Sequence, residues 1–285
     1  MFERVGVIGA GTMGSGVAAD LTLHGIGVVL VDIDASRLAK ARSEIAKTVR
    51  FAPIVYPKAP KVPVQEALGR IVFTQEFSAI GDCDFVIENV TENAAIKKEV
   101  YRKLDALCRL DVCFSANTSC LSITELARGI RRPERIVGMH FMNPVFAKPV
   151  VELMRGVHTS DDTVRRCEDL LRQMTKEAIV VGDMPGFVSN RISHLFMNEA
   201  MWVVHDGVAT VSQVDQIFKK CFGHAMGPLE TADLIGLDVV MDSLDVLYAS
   251  YQDPKFRRCP LLKSMVDSDR LGRKSGKGFY EYQEE

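Results

Sequence analysis

The sequence predicts an α/β domain built on a parallel sheet, followed by an all-helical domain. Up to about residue 180, short runs rich in β-branched residues alternate with helical patterns, which is typical of a parallel α/β sheet. Beyond that point the apolar residues follow a helical period only. The segment between the two regions contains glycine and proline, Gly182-Asp183-Met184-Pro185-Gly186, and these residues commonly mark boundaries. We therefore predict one domain over residues 1–183 and a second over residues 184–285.

Eight segments of the first domain have the composition of buried strands. They are residues 4–8, 27–32, 70–74, 84–88, 111–116, 135–140, 149–154 and 177–181. Helical patterns lie between them, as at residues 94–107 and 161–174. Four prolines interrupt this alternation: Pro53, Pro57, Pro60 and Pro63. Because proline removes a backbone donor and clashes inside a helix, residues 52–64 are not predicted to form a regular helix.

Composition excludes several classes of protein. The chain has 285 residues, 47% of them hydrophobic, which is enough for a sizeable core. Its net charge of −2 gives no bulk reason to expect binding to nucleic acid or a membrane surface. The apolar stretch at residues 5–19 is shorter than a membrane span and contains a glycine pattern, which argues against a signal peptide. Seven cysteines without a C-x-x-C pair indicate reduced thiols, so we expect a cytoplasmic protein.

A glycine motif follows the first predicted strand and opens the first predicted helix. It reads Gly9-Ala10-Gly11-Thr12-Met13-Gly14, the G-x-G-x-x-G pattern of a Rossmann dinucleotide-binding turn. Asp32 ends the second strand, where a carboxylate accepts hydrogen bonds from ribose hydroxyls and repels a 2′-phosphate. The alternative is an ordinary glycine turn beside an exposed acid. The context of strand, turn and helix favours an NAD site, and Asp34 is expected to cap the next helix.

Three further polar residues are candidates for chemistry, two of them at the carboxyl ends of strands, where such sheets bind ligands. Ser119 follows the fifth strand, His140 ends the sixth, and Glu152 lies in the seventh. An imidazole accepts an alcohol proton near neutral pH, and a carboxylate on its other nitrogen fixes the tautomer. Singly, each residue also fits a structural role: a hydrogen-bonded histidine, a helix cap and an exposed strand residue. A serine hydrolase is disfavoured because the chain lacks G-x-S-x-G, and the histidines and acids lack metal-ligand spacing.

Taken together, the motifs of this chain resemble the 3-hydroxyacyl-CoA dehydrogenase family, in particular its short bacterial 3-hydroxybutyryl-CoA type. The resemblance runs nearly end to end. It is carried by VGVIGAGTMG, DFVIENVTENAAIKKEV, SANTSCLSITELA, RIVGMHFMNPVFAKPVVEL, PGFVSNRI, MGPLETADLIGLD and LGRKSGKGFYEY.

The resemblance implies NAD as cofactor, a 3-hydroxyacyl thioester as substrate and a role for each matching residue. His140 would be the general base, paired with Glu152, while Ser119 and Asn190 would hydrogen-bond the substrate. Residues that match positions lining the nicotinamide or ribose are Glu92, Lys97, Asn117, Asn143 and Lys274. The helical C-terminal domain would form a homodimer and close over the active site.

The proline segment departs from the family pattern. In the family this region is a helical arm that covers the CoA moiety, so the carrier of the acyl group is left open between CoA and an acyl carrier protein. A subset of the family acts on acyl carrier protein substrates in polyketide extender-unit biosynthesis, and MGPLETADLIGLD resembles that subset equally well. A third interpretation is a loop variation without functional meaning.

Two other functions fit part of the sequence. The 6-phosphogluconate-like β-hydroxyacid dehydrogenases share the glycine motif but use a lysine that is missing from Gly186-Phe187-Val188-Ser189-Asn190-Arg191. A non-catalytic NAD-binding protein is possible on the same fold. The joint presence of Ser119, His140, Glu152 and Asn190 argues against it.

Overall fold

The computed structural model describes residues 1–283. The chain divides into two compact units, Met1–Asp183 and Met184–Glu285, which we call the N-terminal and C-terminal units.

An eight-stranded sheet forms the centre of the N-terminal unit. Its strands are β1 (Arg4–Ile8), β2 (Gly27–Val31), β3 (Ile71–Thr74), β4 (Phe85–Glu88), β5 (Cys113–Ala116), β6 (Ile136–His140), β7 (Val150–Arg155) and β8 (Glu177–Gly182). They lie in the order β3-β2-β1-β4-β5-β6-β7-β8. All eight predicted strands are confirmed, each with ends within two residues of the prediction.

The prediction of a parallel sheet is correct for β1 to β6 and wrong for the last two strands. β7 runs antiparallel to β6, and β8 runs parallel to β7. The connection at residues 141–149 explains the reversal, because a parallel crossover requires about a dozen residues or more. The reversal has a direct consequence for the site, since it pairs His140 with Glu152 across the two strands.

Helices pack on the sheet through apolar stripes. They are α1 (Thr12–Leu23), α2 (Ala35–Val55), α3 (Val64–Gly69), α4 (Ala94–Leu107), α5 (Ile123–Leu126) and α6 (Asp161–Gln173). α4 has the predicted bounds and α6 ends one residue before the predicted end. The strands β4, β5 and β6 are buried throughout, as expected for strands covered on both faces. The core therefore lies on both sides of the sheet.

The proline segment is more helical than predicted. α2 continues through Pro53 to Val55 and α3 begins at Val64, so the prediction for residues 52–64 is wrong at both ends and correct for residues 56–63. Pro53 lies in the last turn of α2, where the missing donor costs a single intrahelical bond. Val49 and Ala52 are buried and hold this turn against the core, which offsets the loss of that bond.

The C-terminal unit is built from α7 (Ser189–His205), α8 (Val211–Cys221), α9 (Pro228–Ile235), α10 (Leu237–Tyr251) and α11 (Pro260–Asp267). Its core includes Met201, Leu229 and Leu244. Among its described residues, β-type pairing occurs only as isolated bridges, at Gly272, Lys277 and Glu281. The prediction of a helical C-terminal region is confirmed. Across residues 1–283, the helices are too short or too polar to cross a membrane.

Candidate active site

The glycine motif forms the turn between β1 and α1, as predicted. Gly9 has φ of 94°, and a Cβ there would lie 2.6 Å from the backbone oxygen of Asn89. A Cβ on Gly14 would lie 1.8 Å from the oxygen of Gly9. Gly11 differs, because among the described residues no atom lies within 4 Å of its ideal Cβ position. Gly9 and Gly14 are therefore required by packing, whereas Gly11 keeps the space above the loop open.

This open space fits a pyrophosphate. α1 begins at Thr12, and Gly11 before it has no side chain with which to cap the helix. The amides of the first turn, which includes Met13, therefore point to the space above Gly11 with their partial positive charge. Asp32 lies beside the loop, where its carboxylate accepts from the amides of Ala10 at 2.8 Å and Asp34 at 3.0 Å. These residues fit NAD.

A cavity of about 610 Å³ adjoins the glycine motif. Gly11 and Thr12 line one side, Arg37 and Lys40 of α2 line another, and residues 143–146 line a third. Asn143, which the resemblance places at the cofactor, therefore lies at the wall of this cavity. The two cationic side chains give it a positive face suited to phosphate groups.

Ser119, His140 and Glu152 come together as the sequence predicted. The Ser119 Oγ lies 3.3 Å from His140 Nε2, and His140 Nδ1 lies 3.3 Å from Glu152 Oε2. His140 is the last residue of β6, and Glu152 is its partner in the antiparallel register. Both residues are buried, 8% and 7% exposed. With the carboxylate on Nδ1, the ring carries its proton there and Nε2 is left as the acceptor.

Glu92 holds the loop that carries Ser119. Its Oε1 accepts from the Thr118 hydroxyl at 2.5 Å and from the amides of Ser119 at 2.8 Å and Cys120 at 3.2 Å. One carboxylate oxygen thus collects three donors from consecutive residues. This arrangement fixes the position of the Ser119 side chain relative to the end of β5.

Lys97, which the resemblance places at the nicotinamide or ribose, has no exposed surface. Its contact with the cofactor stays a prediction. Its ammonium lies 2.7 Å from Glu88 and 3.6 Å from Glu92, and it donates to the backbone oxygens of Val90 and Asn117. These contacts fasten the loops after β4 and β5 to each other.

Glu88 and Tyr101 complete this buried network, and sequence reasoning missed both. The Tyr101 hydroxyl donates to Glu88 at 3.1 Å. Burial raises the pKa of Glu88, and the Lys97 ammonium acts in the opposite direction. The signal for Glu88 was present, since an acid ends the apolar strand that precedes a predicted ligand edge. No sequence pattern placed its partner, Lys97, beside it, because that lysine lies nine positions later in a helix.

The remaining predicted site residues divide between the units. Asn117 lies at the edge of the sheet, donating to Asn89 at 2.7 Å and accepting from the amide of Phe141 at 3.3 Å. Asn190 and Lys274 belong to the C-terminal unit. Asn190 is the second residue of α7, and Lys274 pairs with Asp238 at 2.5 Å. Their contacts with substrate and cofactor stay predictions. Within residues 1–283, the histidine, cysteine and acidic side chains form no cluster suited to a metal ion.

Comparison with known proteins agrees with this geometry. Residues 4–184 match the family described as "3-hydroxyacyl-CoA dehydrogenase, NAD binding domain", and residues 186–282 match "3-hydroxyacyl-CoA dehydrogenase, C-terminal domain". A probable 3-hydroxybutyryl-CoA dehydrogenase of Bacillus subtilis is 38% identical over 99% of this chain and 98% of its own length. One from Deinococcus radiodurans is 40% identical over 98% of this chain and all of its own.

Solved structures give the same result. The crystal structure of (S)-3-hydroxybutyryl-CoA dehydrogenase from Ralstonia eutropha superimposes with a TM-score of 0.93 at 38% identity, covering 100% of both chains. The glycine turn, Asp32 and the His140–Glu152 pair fit a nicotinamide-dependent dehydrogenase. The chain belongs to the 3-hydroxyacyl-CoA dehydrogenase family. The predictions of this family, of NAD and of an NAD-dependent 3-hydroxyacyl-thioester oxidoreductase are confirmed.

The glycine motif yields a test of cofactor binding. Gly11→Ala should fold normally but raise the Kd for NADH about tenfold, because its methyl group enters the open space above the loop. Gly14→Ala should fail to fold or to bind, because its Cβ meets the Gly9 oxygen. Gly69→Ala is the matched control, since its Cβ position is also open among the described residues. Circular dichroism and NADH fluorescence titration provide the measurements. Equal affinity of Gly11→Ala and Gly69→Ala would remove Gly11 from the cofactor site.

Proposed function

We propose that the protein interconverts a 3-hydroxyacyl thioester of the 3-hydroxybutyryl type and its 3-oxoacyl form, with His140 as the acid–base residue. The arrangement of Ser119, His140 and Glu152 carries this proposal, because it places a proton acceptor at the carboxyl edge of the sheet. The same edge holds the NAD-binding turn. The relatives named as 3-hydroxybutyryl-CoA dehydrogenases supply the acyl type.

The proton transfer follows from the geometry of the pair. His140 Nε2 takes the proton of the substrate 3-hydroxyl, and Glu152 stabilises the imidazolium that forms. NAD held at the glycine turn and Asp32 would supply the acceptor for the hydride from C3 of the substrate. In the reverse direction His140 returns its proton to the oxygen at C3. Glu152 also keeps the neutral ring in the tautomer that leaves Nε2 free of its proton.

Ser119 and Asn190 are proposed to position the substrate. The Ser119 hydroxyl already lies 3.3 Å from Nε2, so a substrate hydroxyl that contacts both groups has its proton directed at the acceptor. Holding reactants in such a geometry is a large part of catalysis. Asn190 is assigned to substrate binding through the family resemblance, on the first turn of α7.

Substitution of the acid–base pair tests this function. His140→Ala should lower kcat about 10²- to 10⁴-fold, the usual contribution of a general base, while the Kd for NADH stays within about twofold. Glu152→Gln keeps the size of the side chain and loses its charge, so we expect a smaller loss of kcat, of at least about tenfold. NADH oxidation with 3-oxobutyryl-CoA is the assay. Near-normal turnover of His140→Ala would refute its role, and an inactive parent across all thioesters would favour a non-catalytic NAD-binding protein.

Coenzyme A is the carrier that the charge of α2 favours. Arg37 and Lys40 lie at the cavity beside the glycine motif, with the acid Glu44, and α2 with the segment after it is strongly basic. The basic residues from position 35 to 70 are Arg37, Lys40, Arg42, Lys47, Arg50, Lys58, Lys61 and Arg70, against the acids Glu44 and Glu66. In a chain of net charge −2 this segment is a local excess of positive charge. It suits the phosphates of CoA.

An acyl carrier protein is the second candidate, and one observation favours it. Phe51, Ile54 and Val55 at the end of α2 are 50%, 73% and 63% exposed. Apolar side chains grouped on the surface commonly mark a protein contact, and Arg50 lies next to them in sequence. A carrier protein with an acidic surface would match both the apolar and the basic residues.

The two carriers are separated by offering the same 3-oxobutyryl group on CoA, on pantetheine and on an acyl carrier protein. CoA as substrate predicts that kcat/KM with CoA exceeds that with pantetheine, and that Lys40→Gln lowers kcat/KM with CoA about tenfold relative to pantetheine. The carrier protein as substrate predicts that Ile54→Asp lowers kcat/KM with that substrate about tenfold relative to CoA. If all three substrates react with equal kcat/KM, neither the basic nor the apolar residues of α2 select the carrier.

We also propose that the protein is a homodimer formed through the C-terminal unit. Val208, Ile217 and Phe222 in that unit are 76%, 49% and 66% exposed. A surface hollow of about 460 Å³ lies between Val208 and Ile217. Exposed apolar side chains of this size commonly mark an interface.

A cytoplasmic location is proposed on the cysteine content, which suits a reducing compartment.

Sedimentation equilibrium tests the dimer. The parent should show twice the chain mass of 31.6 kDa, and Ile217→Asp should shift it towards the monomer, because a buried unpaired carboxylate is costly at an interface. Leu110→Asp is the matched control, since Leu110 is 72% exposed in the N-terminal unit. A monomeric parent, or equal dissociation by both variants, would count against the proposed interface.

A further inference from the structure

A second buried ion pair lies in the N-terminal unit, away from the acid–base residues. Asp20 of α1 is 0% exposed, and Lys176, the residue before β8, is 8% exposed. The Lys176 ammonium lies 3.0 Å from Asp20 Oδ2. The pair is surrounded by the main apolar core, which contains Val17, Leu21 and Met174. Removing two charges from water costs several kcal/mol per ion, so a specific geometric reason for the pair is expected.

The other contacts of Lys176 supply that reason. Its ammonium donates to the backbone oxygen of Val145 at 2.7 Å and to that of Lys148 at 2.8 Å. An ammonium has three donors, and two of them serve these oxygens, while Asp20 lies beside its charge at 3.0 Å. Both oxygens belong to residues 141–149, the segment that connects β6 to β7. Lys176 therefore fastens the connection between the strand of His140 and the strand of Glu152.

His24, the residue that follows α1, contacts the pair as well. His24 Nδ1 lies 2.8 Å from the backbone oxygen of Asp20, and its Nε2 lies 2.9 Å from the Thr175 hydroxyl. The same Nδ1 is 3.6 Å from Asp20 Oδ1. Burial raises the pKa of Asp20, while Lys176 and His24 act in the opposite direction. Contacts to Asp20 of α1 and to the neighbouring residue Thr175 thus hold Lys176 in place.

We propose that Lys176, held by Asp20, is a positioning residue for cofactor binding, because it sets residues 143–146 against α1. These residues form one wall of the cavity whose other walls include Gly11 and Thr12. The contact is close, since a Cβ on Gly16 of α1 would lie 3.1 Å from Val145. His140 and Glu152 are joined by the β6–β7 pairing and do not depend on the ammonium. Loss of Lys176 should therefore weaken cofactor binding more than it slows the chemical step.

Lys176→Met tests this role, because methionine keeps a long, flexible side chain without the donors of lysine. We expect the Kd for NADH and the KM for NAD to rise about tenfold, with kcat at saturating NAD changed less than about threefold. The NADH titration needs no acyl substrate, so it is independent of the proposed thioester. Hydrogen exchange at residues 141–149 should become at least about tenfold faster than in the parent.

The control is a buried ion pair of the same unit that does not touch the connection. Arg132 and Asp105 have side chains 4% and 6% exposed and lie 2.9 Å apart. The double variant Arg132→Met with Asp105→Asn should lower the melting temperature and leave the Kd for NADH unchanged. A parent-like Kd in folded Lys176→Met, or an equal rise in the control, would overturn the proposal.

A second variant covers the case in which Lys176→Met is unstable. Lys176→Met combined with Asp20→Asn leaves no unpaired charge in the core, so it should fold more readily than the single variant. The oxygens of Val145 and Lys148 still lose their donor, and we expect the same rise of about tenfold in the Kd for NADH. A parent-like Kd in this folded double variant would assign the pair to stability alone.

Discussion

The antiparallel pairing of β6 with β7 is the constraint on which the site depends. Glu152 is the third residue of its strand, and a strand parallel to β6 would place its early residues at the opposite edge of the sheet. Reversal brings the start of β7 to the carboxyl edge, where the register sets Glu152 opposite His140. Residues opposite each other in such a pair have Cβ atoms about 5 Å apart on the same face. The backbone therefore brings the imidazole and the carboxylate within contact distance before any side-chain rotation is chosen.

Two buried lysines perform the same task on either side of this pair. Lys97 pairs with Glu88 and donates to loop oxygens after β4 and β5, and Lys176 pairs with Asp20 and donates to oxygens between β6 and β7. Loops carry backbone oxygens that regular structure leaves without donors, and a buried oxygen needs one. A lysine reaches two such oxygens at once, provided that an acid balances its charge. The hydrogen bonds to these oxygens offset part of the free-energy cost of desolvating each pair, and they fix the geometry of the loops that line the site.

Much of this fold and site could be predicted from the sequence, because the responsible signals are local. The strands, the glycine turn and the positions of Ser119 and His140 follow from periodicity and from strand ends. The short connection at residues 141–149 also contains the signal for the antiparallel direction of β7. The inward position of Lys97 and Lys176 was not, since a lysine is ordinarily exposed and its acid is distant in sequence. Asp20 gave a weak signal, as a single charge on an otherwise apolar helix face.

Two properties of residues 35–70, their positive charge and their exposed apolar side chains, affect the choice between CoA and an acyl carrier protein separately. Positive charge there favours CoA, because CoA bears more phosphate groups than carrier-bound phosphopantetheine. Exposed Phe51, Ile54 and Val55 favour the carrier protein, since grouped apolar side chains on a surface commonly mark a protein contact. Apolar surface left in water contributes nothing to folding. Selection between the carriers thus depends on whether these three side chains become covered when the thioester binds.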